Sequence, residues 1–121
     1  MMNLLAIFLG GGLGSLCRYG ISKFAVTFFT TNFPLGTFIS NTLSCIILAV
    51  SIIWFSGKTD PNLSFKLFLI TGFCGGFSTF STFSFETVEL LKTGNYLIAI
   101  LNIVISAAVG VGLIYFLLKN Q

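Results

Sequence analysis

The sequence predicts an all-α membrane protein of four transmembrane helices, and three observations carry that prediction. The 121 residues are 55% hydrophobic and only 7% charged, whereas a soluble domain of this length carries about 25% charged residues. Mean hydropathy is +1.02. So little charge cannot cover a water-facing surface, and lipid is the expected solvent. Four separate stretches each supply the roughly 20 mostly apolar residues that a spanning helix needs. They cover about residues 4–28, 34–55, 64–91 and 95–118. The chain is read as a single integral membrane domain over residues 1–121.

The same composition excludes whole classes of chemistry. There is no histidine, and the acids are Asp60, Glu86 and Glu89. That removes most general acid–base, triad and zinc chemistry, so no enzyme is expected. Cys17, Cys45 and Cys74 lie in separate apolar segments without CxxC spacing and read as buried small residues. The net charge of +3 is scattered, which is no footprint for nucleic acid.

The first span opens without a preceding Lys or Arg, so the n-region of a signal peptide is missing. The "GSLC" before Arg18 has leucine where lipoprotein cleavage wants a small residue. Gly10 with Gly14, and Gly11 with Ser15, have the small-xxx-small spacing of a close-packing face. No "GKS" or "GKT" follows, so this is not a phosphate loop. Arg18 is the anomaly. At a helix centre an arginine costs about 2.5–3.5 kcal/mol on insertion scales. It must snorkel, open onto a wet vestibule or find a counter-charge, and Glu86 is the expected partner because Glu89 reads as nearer the surface.

"TTNFP" breaks the chain, and Pro34 suits a first helical turn. In the second span Thr37, Asn41, Ser44 and Ser51 recur on one helical face. That face is either helix–helix glue or the wall of a path. "SGKTDPNLS" is the most polar stretch and the best loop, with Ser64 the expected cap of the third helix.

The third span contains "TGFCGGFSTFSTFSFE", Thr71 to Glu86. Gly72, Gly75, Gly76 and a dense hydroxyl run make a weak helix at membrane depth, so a break is expected near Gly75–Ser78. Backbone freed there is tolerated only if buried in protein or wetted. Its carbonyls are hard-oxygen ligands suited to a small hard cation. Past the break, Phe77, Phe80, Phe83 and Glu86 fall in one stripe, with Ser78, Ser81 and Thr82 alongside. The stripe is either ordinary packing or a lining. A phenyl ring is positive at its edge, so rings interleaved with hydroxyls can line an anion's path without a fixed cation that would hold the ion too tightly.

"KTGN" offers a cation at a helix end, a stop at Gly94 and a cap at Asn95. In the last span Asn102 and Ser106, with Gly110 next in phase, extend a polar track or pack against the second helix. Trp54, Tyr96 and Tyr115 fall near span ends, as interfacial aromatics do. With four spans, Lys58, Lys66 and Lys119 share one side, and Lys23 and Lys92 the other. That is close to a tie under the positive-inside rule. Either orientation is set by something else, or the chain inserts both ways and opposed copies pair. Four short helices can hardly enclose a polar path alone, so a homodimer is expected.

The stretches "GGLGSLCRY", "PLGTFISN" and "TGFCGGFSTFSTFSFE" resemble the Fluc (CrcB) fluoride channels over nearly the whole chain. The resemblance implies an antiparallel, dual-topology homodimer of four-helix subunits in the bacterial plasma (inner) membrane. It implies two pores that pass fluoride passively and relieve its toxicity. It implies a structural, untransported sodium at the dimer centre, held by the backbone carbonyls of Gly75 and Ser78. By the same resemblance Asn41, Phe80, Phe83, Ser81, Thr82 and Ser106 line the fluoride pathway, and Arg18 and Glu86 are charged positions of the family motifs. The sequence departs from the family pattern at Ser44, where glycine or alanine is common, and along Asn102, Ser106 and Gly110. The rival reading is a small multidrug-type, proton-coupled cation exporter. It needs a membrane-embedded carboxylate, for which Glu86 is the only candidate.

Overall fold

In hydrocarbon every backbone N–H and C=O must find a partner inside the protein, and a helix supplies those partners within its own segment. The chain takes that route four times, over Met2–Phe28, Leu35–Ser56, Leu63–Lys92 and Tyr96–Leu118. Each is long and apolar enough to cross a membrane, and each falls within two residues of the expected span. The computed structural model describes residues 1–59 and 62–121. The loop reading of "SGKTDPNLS" falls partly on Asp60 and Pro61, which lie outside the described residues. Among the described residues there is no strand.

Helix α1 is Met2–Phe28, and α2 is Leu35–Ser56. Pro34 stands just before α2 instead of inside its first turn. Phe33 packs edge-on against Phe38 with centroids 5.7 Å apart, a hydrophobic staple that sets the entry angle of the chain. The third span is composite: α3 (Leu63–Lys66), a π-helix (Leu67–Cys74), α4 (Gly75–Phe77) and α5 (Phe80–Lys92). Its cap is Asn62, whose side chain accepts from the Phe65 N–H at 3.1 Å. Ser64, the expected cap, instead donates to Asn3 Oδ1 at 2.8 Å.

Between α5 and α6 (Tyr96–Leu118) the turn is a Schellman motif. Asn95 N–H reaches Leu90 O at 2.8 Å and Gly94 N–H reaches Leu91 O at 3.2 Å. Gly94 sits at φ +84°, which only glycine adopts freely. Asn95 makes no side-chain cap; its amide donates to Thr93 Oγ1 at 3.0 Å.

Small residues let the helices approach. Gly10 and Gly14 of α1 are buried. A Cβ on Gly10 would strike the Phe68 carbonyl, one on Gly14 the Phe73 carbonyl, and one on Gly76 the Gly11 carbonyl. The packing face expected at Gly10 and Gly14 therefore meets the π-helix and α4 backbone to backbone. Helices α2 and α6 run parallel, with Cys45 beside Gly110 and Ser56 Oγ donating to Gln121 Oε1 at 3.2 Å. Together with the Asn3–Ser64 bond, this gathers residues 1 and 121 at one end of the bundle.

The interior is small and partly polar. Ala25, Ala49, Phe55, Cys74, Phe77, Leu90 and Ala99 are its buried apolar residues, beside buried Thr37, Ser40, Ser44, Ser51, Thr87 and Asn102. Large apolar side chains point outward, as expected of a multi-pass membrane protein, where lipid is as apolar as leucine and packing selects small residues. At the ends, lysines lie over rings: Lys58 Nζ is 4.4 Å from the Trp54 ring and Lys119 Nζ 4.7 Å from Phe116.

Candidate functional site

The third span breaks at Ser78 and Thr79, whose backbones are extended (φ −87°, ψ 155° and φ −152°, ψ 119°). Gly75, by contrast, is helical at φ −64°, ψ −37°. The break thus lies at the C-terminal edge of the expected Gly75–Ser78 window, and hydroxyl residues carry it. The reason is local competition for hydrogen bonds. Ser78 Oγ donates to Cys74 O at 2.8 Å, and Thr79 Oγ1 accepts from Thr82 N–H at 3.2 Å, capping α5.

A break at membrane depth strands backbone groups, and neighbouring helices answer several of them. Asn41 of α2 acts as a substitute peptide for Thr79. Its Oδ1 accepts the Thr79 N–H at 2.8 Å, and its Nδ2 donates to the Thr79 carbonyl at 3.3 Å. Arg18 of α1 donates from Nε to Gly76 O at 3.2 Å. Ser44 Oγ donates to Cys74 O at 3.1 Å. Among the described residues, no hydrogen bond reaches the carbonyls of Gly75, Phe77 or Ser78. Two of these, Gly75 and Ser78, are the expected cation ligands. Among the described residues, no three His, Cys, Asp or Glu side chains converge.

Directly past the cap stand the rings. Phe80 and Phe83 have centroids 5.9 Å apart at an interplanar angle of 39°. Phe80 is 79% exposed on this subunit. Ser81 Oγ lies 3.4 Å from Thr79 Oγ1, and Thr82 is half-buried on the same turn. Asn41, Phe80, Ser81, Thr82 and Phe83 therefore gather around one break. Ser106, on α6, stands apart and joins them only through a string of bonds. It donates to Asn102 Oδ1 at 3.3 Å, and Asn102 Nδ2 donates to Thr87 Oγ1 at 2.9 Å. Thr87 Oγ1 in turn donates to Phe83 O at 2.8 Å.

The expected Arg18–Glu86 pair is not formed. Arg18 takes the Gly76 carbonyl, an acceptor that exists only because the helix breaks. Glu86 lies in an open recess of about 480 Å³ that it shares with Thr37 and Glu89, near the 29–34 and 93–95 turns. Among the described residues, its Oε1 is buried without a hydrogen-bond partner. The cysteines are free, with Cys17 exposed, Cys45 half-buried and Cys74 buried.

Sequence reasoning missed Thr79 as the pivot, although a Thr just before a resumed helix is an N-cap signal. It also missed Thr87, which looks like one more hydroxyl until α6 is placed beside it.

The chain matches, over residues 5–118, the family described as CrcB-like protein, Camphor Resistance (CrcB). It is 42% identical to the fluoride-specific ion channel FluC of Pyrococcus abyssi (strain GE5 / Orsay), across 94% of this chain and 94% of that protein. It is 48% identical to the protein of that name from Phocaeicola vulgatus, across 79% and 78%. A third, from Hydrogenobaculum sp. (strain Y04AAS1), is 42% identical across 90% and 88%.

Proposed function

The chain belongs to the CrcB family, and from that premise we propose that it is a fluoride-specific ion channel that lets the ion leave the cell passively and so limits its toxicity. The observation that carries the reading is the clamped break with Phe80 and Phe83 immediately behind it. A small anion crossing the bilayer must exchange its water shell for other partners. Ring edges carry partial positive charge, and the Ser81 and Thr82 hydroxyls beside them are neutral donors. The Asn41 amide has two N–H groups, of which one is committed to the Thr79 carbonyl. Neutral donors bind weakly enough for the ion to leave, which conduction requires. In this reading Ser106 continues the path on α6, while Arg18 and Glu86 support it from the two sides of the break.

The working unit is a homodimer of opposed copies with two pores. Its support is the incompleteness of one subunit, since Phe80 points out of the bundle at 79% exposure and Gly75 is exposed at the break. A structural sodium belongs to the same reading. The Gly75 and Ser78 carbonyls fit it, being hard oxygens that no donor among the described residues satisfies. When bound, the ion would supply the positive charge those oxygens lack, with further ligands coming from the second copy.

The test is a fluoride-electrode trace from liposomes holding the pure protein, with chloride as control. Fluoride efflux needing neither ATP nor a proton gradient is expected; silence, or equal chloride flux, refutes the reading. Purification with sodium replaced by N-methylglucamine should weaken the assembly or its flux, and indifference to every alkali ion counts against the carbonyl site.

A further inference from the structure

We propose that Asn102 is a positioning residue for the pathway, fixing the Phe83 turn of α5 through the Thr87 hydroxyl and orienting the Ser106 hydroxyl. The proposal rests on the fluoride-channel reading. Its basis is a directed string of donors, Ser106 to Asn102, Asn102 to Thr87, and Thr87 to the Phe83 carbonyl, at 3.3, 2.9 and 2.8 Å. Asn102 is 1% exposed and Thr87 7%, so water cannot replace a lost partner. Helix–helix glue would need only the Asn102–Thr87 bond. Here the string ends on the backbone of a residue whose ring faces the path, and begins on a hydroxyl expected to line it.

Two consequences follow from proton counting. Each hydroxyl has one proton. The Thr87 proton is committed to the Phe83 carbonyl, so its oxygen is left to accept from Asn102. The Ser106 proton is committed to Asn102 Oδ1, so Ser106 can donate to an anion only by releasing that oxygen. Asn102 thereby competes with the passing ion for one proton and keeps Ser106 a weak site. Phe80, 79% exposed, instead follows the Thr79 peptide that Asn41 holds; the two rings are held by different means.

The experiment is a graded series at position 87 in the full-length protein: Thr87→Ser, Thr87→Cys and Thr87→Val, with flux normalised to correctly eluting particles. Thr87→Ser keeps the donor and the acceptor and should keep wild-type flux. Thr87→Val keeps the shape and loses both, and should cut flux about tenfold, the scale set by one unsatisfied buried hydrogen-bonding group. Thr87→Cys, a weak donor and acceptor, should fall between them, and decides the matter if the valine variant does not fold. Asn102→Leu added to Thr87→Val should bring little further loss, since both cut the same string. Flux that stays at the wild-type level across the series, even with a lowered thermal midpoint, would reduce Asn102 to packing and overturn the inference. A wild type that moves no fluoride overturns the channel reading and this inference with it. A conducting wild type beside an equally conducting Thr87→Val overturns this inference alone.

Discussion

The two halves of the third span are held by opposite means. Before the break, the π-helix and α4 lie against α1 backbone to backbone, and Gly10, Gly14 and Gly76 leave no room for even one added carbon. After the break, α5 is fastened by side chains: Asn41 holds the Thr79 peptide, and Asn102 holds Thr87. The first half is fixed chiefly by excluded volume, which an inserted atom violates at once, with one side-chain bond each from Arg18 and Ser44. The second is fixed by directional bonds, which can be removed one at a time. A rigid half beside an adjustable one suits the proposed path, in which the rings must be placed but the ion must not be trapped.

The largest effect should come from violating the glycine contact. Gly76→Val drives side-chain carbons onto the Gly11 carbonyl, and overpacking of this kind costs about 1–3 kcal/mol or more. Little or no correctly eluting protein is expected on size exclusion in detergent. A normal yield with a normal thermal midpoint would break the comparison at its first half.

Next come Phe80→Ile and Phe83→Ile. Each should lower fluoride flux by about tenfold or more, near 1.4 kcal/mol on a barrier, while the particle elutes unchanged. Wild-type flux in both would remove the ring-edge mechanism.

Asn41→Ala should sit between the halves. It leaves the N–H and the carbonyl of half-buried Thr79 without their partner, and a hydrogen bond is worth about 0.5–1.5 kcal/mol net. Thermal midpoint and flux should both fall. A drop in flux alone would mean that Asn41 serves the ion and that the break holds itself.

The smallest effect is expected at Ser44→Ala. The Cys74 carbonyl also accepts from Ser78 N–H at 3.0 Å and Ser78 Oγ at 2.8 Å, so losing one donor of three should cost about 0.5–1 kcal/mol. A thermal shift as large as that of Asn41→Ala would show that the clamp is spread more evenly than the geometry suggests.

The spans were legible because hydropathy and length are summed over some 20 residues, and the structure differs by no more than two residues at any end. Gly94 and the α1 glycines Gly10 and Gly14 were legible for another reason: a single residue type answers one local demand. What stayed hidden depends on bonds between elements. The π-helix over Leu67–Cys74 is a shift of hydrogen-bond register without a compositional mark. The glycines near the break point to Gly75, yet Gly72 and Gly76 serve close packing while Gly75 faces open space, and Ser78 and Thr79 bend the chain. Arg18 was matched to the one deep carboxylate, whereas its partner is the Gly76 carbonyl, an acceptor that no sequence displays.

The Ser56–Gln121 and Asn3–Ser64 bonds have an architectural corollary. Since residues 1 and 121 emerge together, two copies spliced in series through an ordinary flexible tether must stand the same way up. Only a tether that itself crosses the bilayer can set the second copy upside down. A fused pair of each kind would therefore report, by conducting or not, which mutual orientation the rings require.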